Sequence, residues 1–188
     1  IVKYLDIPIQ HINNDILRRM NRHCTGDEIR ALLQKLRARI PGLVLRTSLI
    51  VGLPGETEEE FEELCEFMRE MNIERAGVFC YSPEEGSEAA EMPDQIDEEI
   101  KTARRDRIME LQQEISLDKG ENRVGSVMDV VIEGKVADEN AYIGRTYMDA
   151  PNIDGYVFIN TGEALMTGDF VKVKITGASD YDLIGELI

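Results

Sequence analysis

LRTSLIVGLPGETEEEF, Leu45 to Phe61, runs from an apolar stretch through Gly52-Leu53-Pro54-Gly55 into four acids within five residues. Leu43 to Val51 is nearly all apolar or small, the pattern of a strand covered on both faces. Thr57 and Glu60 stand at T-x-x-E spacing, a capping box that predicts a helix directly after the turn. Phe61, Leu64, Cys65, Met68 and Met71 give that helix one apolar stripe. A strand, a Gly turn and a helix N-terminus together can hold an anionic ligand group. The Lys-Ser/Thr of a P-loop and the spacing of GxGxxG are both missing, which argues against a nucleotide-triphosphate site. Nor do the acids imply a metal. Glu58, Glu59 and Glu60 meet the positive end of the helix dipole, each contributing about 0.3–1 kcal/mol. Gly52 and Gly55 read instead as a close backbone approach to a ligand at the carboxyl end of a parallel strand, where α/β folds place their sites.

Outward from this junction, strands alternate with helices. Tyr4 to Ile9 is strand-like, NNDILRRMNR is helical, and Thr25 with Glu28 opens a second helix by the same capping box. Ile29, Leu32, Leu33, Leu36 and Ile40 form its apolar face, and Pro41-Gly42 stops it. Ala76 to Tyr81 is a third strand. This order predicts a parallel sheet with helical crossovers. After a Pro- and Glu-rich loop over 82–96, a long helix is expected from about Asp97 to Asn122, with Ile100, Ala103, Ile108, Leu111 and Ile115 as its seam. From Val124 the texture turns all-β: VMDVVIEG, AYIGRTY, GYVFIN, DFVKVKITGA and DYDLIGELI are five short strand-like pieces. In the fourth, Val171, Val173 and Ile175 alternate with Phe170, Lys172 and Lys174. A small closed barrel of the OB type fits. The chain therefore divides at 1–123 and 124–188: an α/β piece with a long linking helix, then a five-stranded β-barrel.

The 188 residues carry 37 acids and 21 bases, a net charge of −16. Nucleic-acid binders usually show the opposite sign, so RNA binding is not expected of the acidic barrel, which has 11 acids against 4 bases from Val124 onward. There is no apolar run long enough to span a membrane and no secretory signal. Three scattered cysteines, Cys24, Cys65 and Cys80, without CxxC, point to a reducing cytoplasm. His23-Cys24 lacks the further ligands that a metal pair needs. A strand-like start without Met suggests a fragment of a longer chain.

KYLDIPIQH, LRTSLIVGLPGETEEEF, GVFCYSPEEGSEAA, RRDRIMELQQEIS and GRTYMDAPNIDGYVFIN resemble, in the same order, the methylthiotransferase branch of the radical S-adenosylmethionine enzymes. The resemblance covers essentially the whole chain. It is strongest to the type that methylthiolates an aspartate of a small-subunit ribosomal protein, with the type that modifies an adenosine in transfer RNA as the alternative. It implies the C-terminal part of a partial (βα) TIM-like barrel, followed by a TRAM module as the small OB-like β-barrel. It also implies S-adenosylmethionine at the strand ends and two 4Fe-4S clusters, one in a CxxxCxxC loop and one on a further N-terminal domain. No cysteine here matches that loop, so the resemblance implies a C-terminal half that is inactive alone or acts only as a docking module. A basic ribosomal protein and an electron donor are the implied partners.

The cofactor-binding residues expected are Gln10, Arg46, Ser48, Ile50, Gly52 and Tyr81. Strand alternation puts Arg46, Ser48, Ile50 and Gly52 on one face. Arg46 suits the methionine carboxylate, with an end-of-strand salt bridge as its rival role. Ile50 and Gly52 resemble the family's adenine-contact strand, whose usual glutamate is displaced by one to Glu56. Gln10 suits the ribose or amino group. Tyr81 and Ser82 would line the mouth, unless Tyr81 is a plain core residue. His11 reads as structural and Cys65 as an inert core thiol. No acid–base pair is expected, because the cofactors carry the chemistry.

Overall fold

The computed structural model describes residues 1–137 and 140–188. The chain forms two compact units, Leu5–Gln112 and Gln113–Ile188, the second joined by Ile1–Tyr4.

In the first unit, β1 (Tyr4–Asp6), β2 (Val44–Val51) and β3 (Arg75–Cys80) form a sheet in the order β1-β2-β3. β2 and β3 pair in parallel, and Gln10 continues the β1 side with a parallel bridge to Leu49. Helices α1 (Asn14–Arg19), α2 (Gly26–Arg39) and α3 (Glu58–Met71) begin on side-chain caps from Asn13, Thr25 and Thr57. The last two are the complete capping boxes expected from sequence, each satisfying two orphan helix-end donors. Helix α3 buries Phe61, Leu64, Cys65, Phe67, Met68 and Met71. They share one core with Ile29 and Leu33 of α2 and with Leu45, Leu49 and Val51 of β2. Each large apolar side chain so enclosed contributes about 1.5–3 kcal/mol. Leu32, placed on the apolar face of α2 by its spacing, is instead 47% exposed.

Two expectations about burial change. β2 is covered on one face only: Leu45, Thr47, Leu49 and Val51 are buried, while Arg46, Ser48 and Ile50 are half-buried. The helices share one core on the first face, and within the described residues no second layer closes the other. Helix α4 (Glu98–Glu121) does not use its predicted seam throughout. Ile100 is 46% exposed and Ala103 is exposed, whereas Lys101, Arg104, Ile108 and Gln112 are buried. Those four trace a helical stripe at spacings of three and four, along which Lys101, Arg104 and Gln112 each donate at least one hydrogen bond. Gln112, for example, donates to the carbonyls of Ile73 and Glu74.

In the second unit, β4 (Val127–Lys135), β5 (Ala141–Arg145), β6 (Val157–Asn160), β7 (Phe170–Ala178) and β8 (Leu183–Leu187) close into a barrel in the order β4-β5-β6-β8-β7. Val130, Ile132, Val157, Ile159, Val173 and Ile175 fill it. Register shifts at Ile132/Gly134 and Ile175/Gly177 add the local bend that closure requires. Phe170, Lys172 and Lys174 face outward, as their alternation predicts. Among the described residues, no helix is long and apolar enough to cross a membrane.

Candidate functional site

The carboxyl ends of the parallel strands gather most of the residues singled out by sequence. On the half-open face of the sheet, Ser48 pairs with Gly77 and Ile50 with Phe79, so these side chains share one surface. Gln10 is fastened beside them. It adopts φ 72°, its N–H donates to the Ser48 carbonyl at 2.9 Å, and its carbonyl accepts from the Ile50 N–H at 2.8 Å. Tyr81 follows β3, with its N–H on the Val51 carbonyl at 2.8 Å. Its hydroxyl is buried and has no hydrogen-bond partner among the described residues. An orphan hydroxyl of that kind is uncommon in a native fold, because desolvating it costs about 1–3 kcal/mol.

Arg46 shares this face at its lower end, its Nη2 3.8 Å from where a Cβ on Gly77 would stand. It lies six positions before Gly52 along the chain, about 20 Å at the usual rise. Its Nη1 donates to Asp6 Oδ2 at 2.7 Å, which ties β1 to β2.

Gly52 is buried at the turn with φ 78°, and its N–H donates to Glu56 Oε2. What crowds it is the protein itself. A Cβ added there would lie 2.3 Å from Cγ of Lys101. Gly55, at φ 73°, is likewise pressed by Nη1 of Arg19, 2.9 Å from where its Cβ would stand. Backbone conformation and neighbouring side chains both favour glycine at these two positions.

Three residues outside the expected cofactor-binding set meet at this turn, of which sequence reasoning passed over only Arg104. Glu56 and His11 are fully buried, with His11 Nε2 3.5 Å from Glu56 Oε1. The Asn13 N–H donates to His11 Nδ1, so the ring proton lies on Nε2 and faces the carboxylate. Arg104 comes from α4. Its Nη1 lies 3.5 Å from Glu56 Oε2 and donates to the Glu56 carbonyl at 3.1 Å, while Nη2 donates to Glu58 at 3.3 Å. Its guanidinium also covers the Phe61 ring at 5.3 Å. Lys101 lays its stem on Gly52, carries its Nζ to Glu98 at 2.6 Å and sits 5.4 Å from the centre of the Tyr81 ring. Phe79, 57% exposed beside Ile50, is a further member that sequence reasoning passed over. Strand alternation would have placed it there.

Comparison with known proteins agrees with both units. Residues 1–68 match the model of the radical SAM superfamily, and residues 124–188 match that of the TRAM domain. Ribosomal protein uS12 methylthiotransferase RimO of Lachnoclostridium phytofermentans is 55% identical over 185 residues, 98% of this chain and 42% of that protein. The RimO protein of Pelotomaculum thermopropionicum is 55% identical over 189 residues, 100% of this chain and 43% of that protein. The chain therefore spans about two fifths of the length of these relatives. Coproporphyrinogen III oxidase (HemN) of Escherichia coli, described as a radical SAM enzyme, shares the fold with a TM-score of 0.51 at 24% identity, covering 60% of this chain and 27% of its own.

A parallel strand pair with helical crossovers, followed by a closed five-stranded barrel, matches a radical SAM barrel segment joined to a TRAM domain. Over essentially its whole length the chain matches part of the RimO-type radical SAM methylthiotransferases.

The residues present do not fit an iron–sulfur cluster. Cys24, Cys65 and Cys80 are separate free thiols, and no three His, Cys, Asp or Glu side chains among the described residues come together to hold a metal. Burial pushes the Cys65 thiol up to about 11, so it resists becoming the thiolate that ligation needs. They do fit a nucleoside. The orphan Tyr81 hydroxyl, the Ser48 and Ile50 side chains and the exposed Phe79 ring offer one polar partner, a small hydroxyl and apolar contact at the strand ends.

Proposed function

We propose that this chain is part of an enzyme that replaces a hydrogen on the β-carbon of an aspartate in ribosomal protein uS12 by a methylthio group. The observation that carries the reading is its 55% identity, over 98% of its length, to a RimO protein. Residues 1–123 would supply part of the radical SAM barrel with its linking helix, and 124–188 the TRAM module. Bound S-adenosylmethionine would supply the radical that abstracts the substrate hydrogen. Gln10, Ser48, Ile50, Gly52 and Tyr81 would bind and orient its nucleoside, with the Tyr81 hydroxyl as a polar partner. Arg46 serves in this reading as the tie between β1 and β2 rather than as a carboxylate clamp, because its guanidinium already bonds Asp6.

Two 4Fe-4S clusters would belong to the rest of the longer protein, together with the contact to an electron donor, so the 188 residues alone would not turn over. The acidic barrel would dock the basic protein substrate. The setting would be the cytoplasm. The test is anaerobic reaction of the reconstituted full-length protein with uS12, followed by peptide mass spectrometry. The expected result is exchange of one hydrogen for a methylthio group on a single aspartate. Modification of transfer RNA with uS12 untouched would overturn the assignment.

A further inference from the structure

Arg104 is the least expected charge in the first unit. It projects from α4 into the buried turn after β2, with its side chain 9% exposed and the Glu56 side chain at 0%. A buried ion pair adds little or no stability compared with an apolar filling of the same volume, since desolvation offsets the attraction. What such a pair does supply is geometry. Glu56 Oε2 accepts from the Gly52 N–H, and Oε1 faces His11 Nε2 at 3.5 Å. His11 directly follows Gln10, whose backbone is bonded to Ser48 and Ile50. One carboxylate thus connects the end of β2 with the segment that carries Gln10, and Arg104 is the full positive charge beside it.

Removing that charge would leave a buried carboxylate with a single backbone donor and an imidazole at a distance too long for a hydrogen bond. The carboxylate would then turn toward water, and the Gly52 turn would lose its anchor. We infer that Arg104 is a positioning residue: its guanidinium holds the Glu56 carboxylate against Gly52 and His11, and so sets the strand-end geometry to which an adenosyl ligand binds. The ligand half of this inference rests on the function proposed above; the anchoring half stands on the geometry alone.

Two measurements on the 188-residue chain separate the halves. Amide hydrogen exchange reads the anchor, and calorimetry with S-adenosylmethionine reads the site. In R104Q the Gly52 amide should exchange about tenfold faster, the loss of one charge-assisted hydrogen bond, while Leu49 within β2 keeps its rate. Affinity for S-adenosylmethionine should fall by about the same factor. R104K, which restores the charge but not the planar fork, should lie between wild type and R104Q in both. I108V, a packing change on the same helix, should leave the Gly52 amide and the affinity unchanged. If R104Q does not fold, R104K decides: an unchanged Gly52 exchange rate overturns the inference. So does an equal effect of I108V, or R104K matching R104Q in a folded pair, which would assign the role to shape. Wild-type chain that fails to bind S-adenosylmethionine would count against the proposed function, and the exchange data would still decide the anchor.

Discussion

Substituting Gly52 by Ala measures how tightly α4 closes on the turn. At φ 78° a non-glycine residue costs about 1–2 kcal/mol in backbone strain. The new Cβ would also stand 2.3 Å from Cγ and 3.1 Å from Cδ of Lys101. Displacing that packed stem costs a further amount of about 1–3 kcal/mol, the scale of overpacking. Gly52→Ala should therefore destabilise the chain by about 2–5 kcal/mol. In a Lys101→Ala background Cγ and Cδ are gone, and only the Lys101 Cβ remains, 3.2 Å away. There the same change should cost only the backbone part, about 1–2 kcal/mol. The double-mutant cycle should give a coupling of about 1–3 kcal/mol, read from urea denaturation of the four proteins followed by circular dichroism. Additivity within about 0.5 kcal/mol would refute the packing of Lys101 on Gly52. A negligible cost of Gly52→Ala in both backgrounds would refute the left-handed turn.

Arg46→Ala should lower stability by about 1 kcal/mol, since Asp6 is 45% exposed and solvent screens the pair. It should leave S-adenosylmethionine affinity unchanged, and an affinity loss in calorimetry without a stability change would return Arg46 to the cofactor site. Burial holds the folded Cys65 thiol protonated to about pH 11, whereas the unfolded thiol ionises near its ordinary value of 9.0. Its contribution is therefore full below pH 9 and is lost as pH rises toward 11, by up to about 2–3 kcal/mol. Native alkylation at pH 8 should modify Cys24 and Cys80 well before Cys65; equal rates would contradict the burial. Anaerobic reconstitution of the 188 residues with iron and sulfide should give no stoichiometric cluster, and about four tightly bound irons per chain would overturn that expectation. Binding of the chain to basic uS12 should weaken steeply between low and physiological salt, with transfer RNA the poorer ligand at every salt concentration.

Much of the architecture was legible because it rests on local rules. Thr25 with Glu28 and Thr57 with Glu60 are helix starts that depend on four residues each, and both appear as capping boxes. The β7 alternation from Phe170 to Ile175 depends only on the two-residue period of a strand. The same period put Ser48 and Ile50 on one face of β2, and the structure keeps them there. The site was legible to the level of a strand end and no further. Arg46 shares that face, yet alternation says nothing about height along it, and its partner Asp6 belongs to a different strand.

What the sequence determined by itself was the order of elements, the change of texture after residue 123 and the family that its blocks resemble. Each follows from periodicity, capping or runs of adjacent residues, all of which survive without knowledge of distant contacts. Only the tertiary structure decided which face of α4 goes inside. Hydropathy alone puts Ile100 inward and Lys101 and Arg104 outward, yet the fold does the reverse. The physical reason is that burial of a charge is governed by its partners rather than by its own transfer energy. Glu98 stands three residues before Lys101 on the same helix, but the partners of Arg104, Glu56 and Glu58, are in place only once α4 lies against the Gly52 turn. For Arg104 they come from a segment more than forty residues away. No window of sequence contains that arrangement.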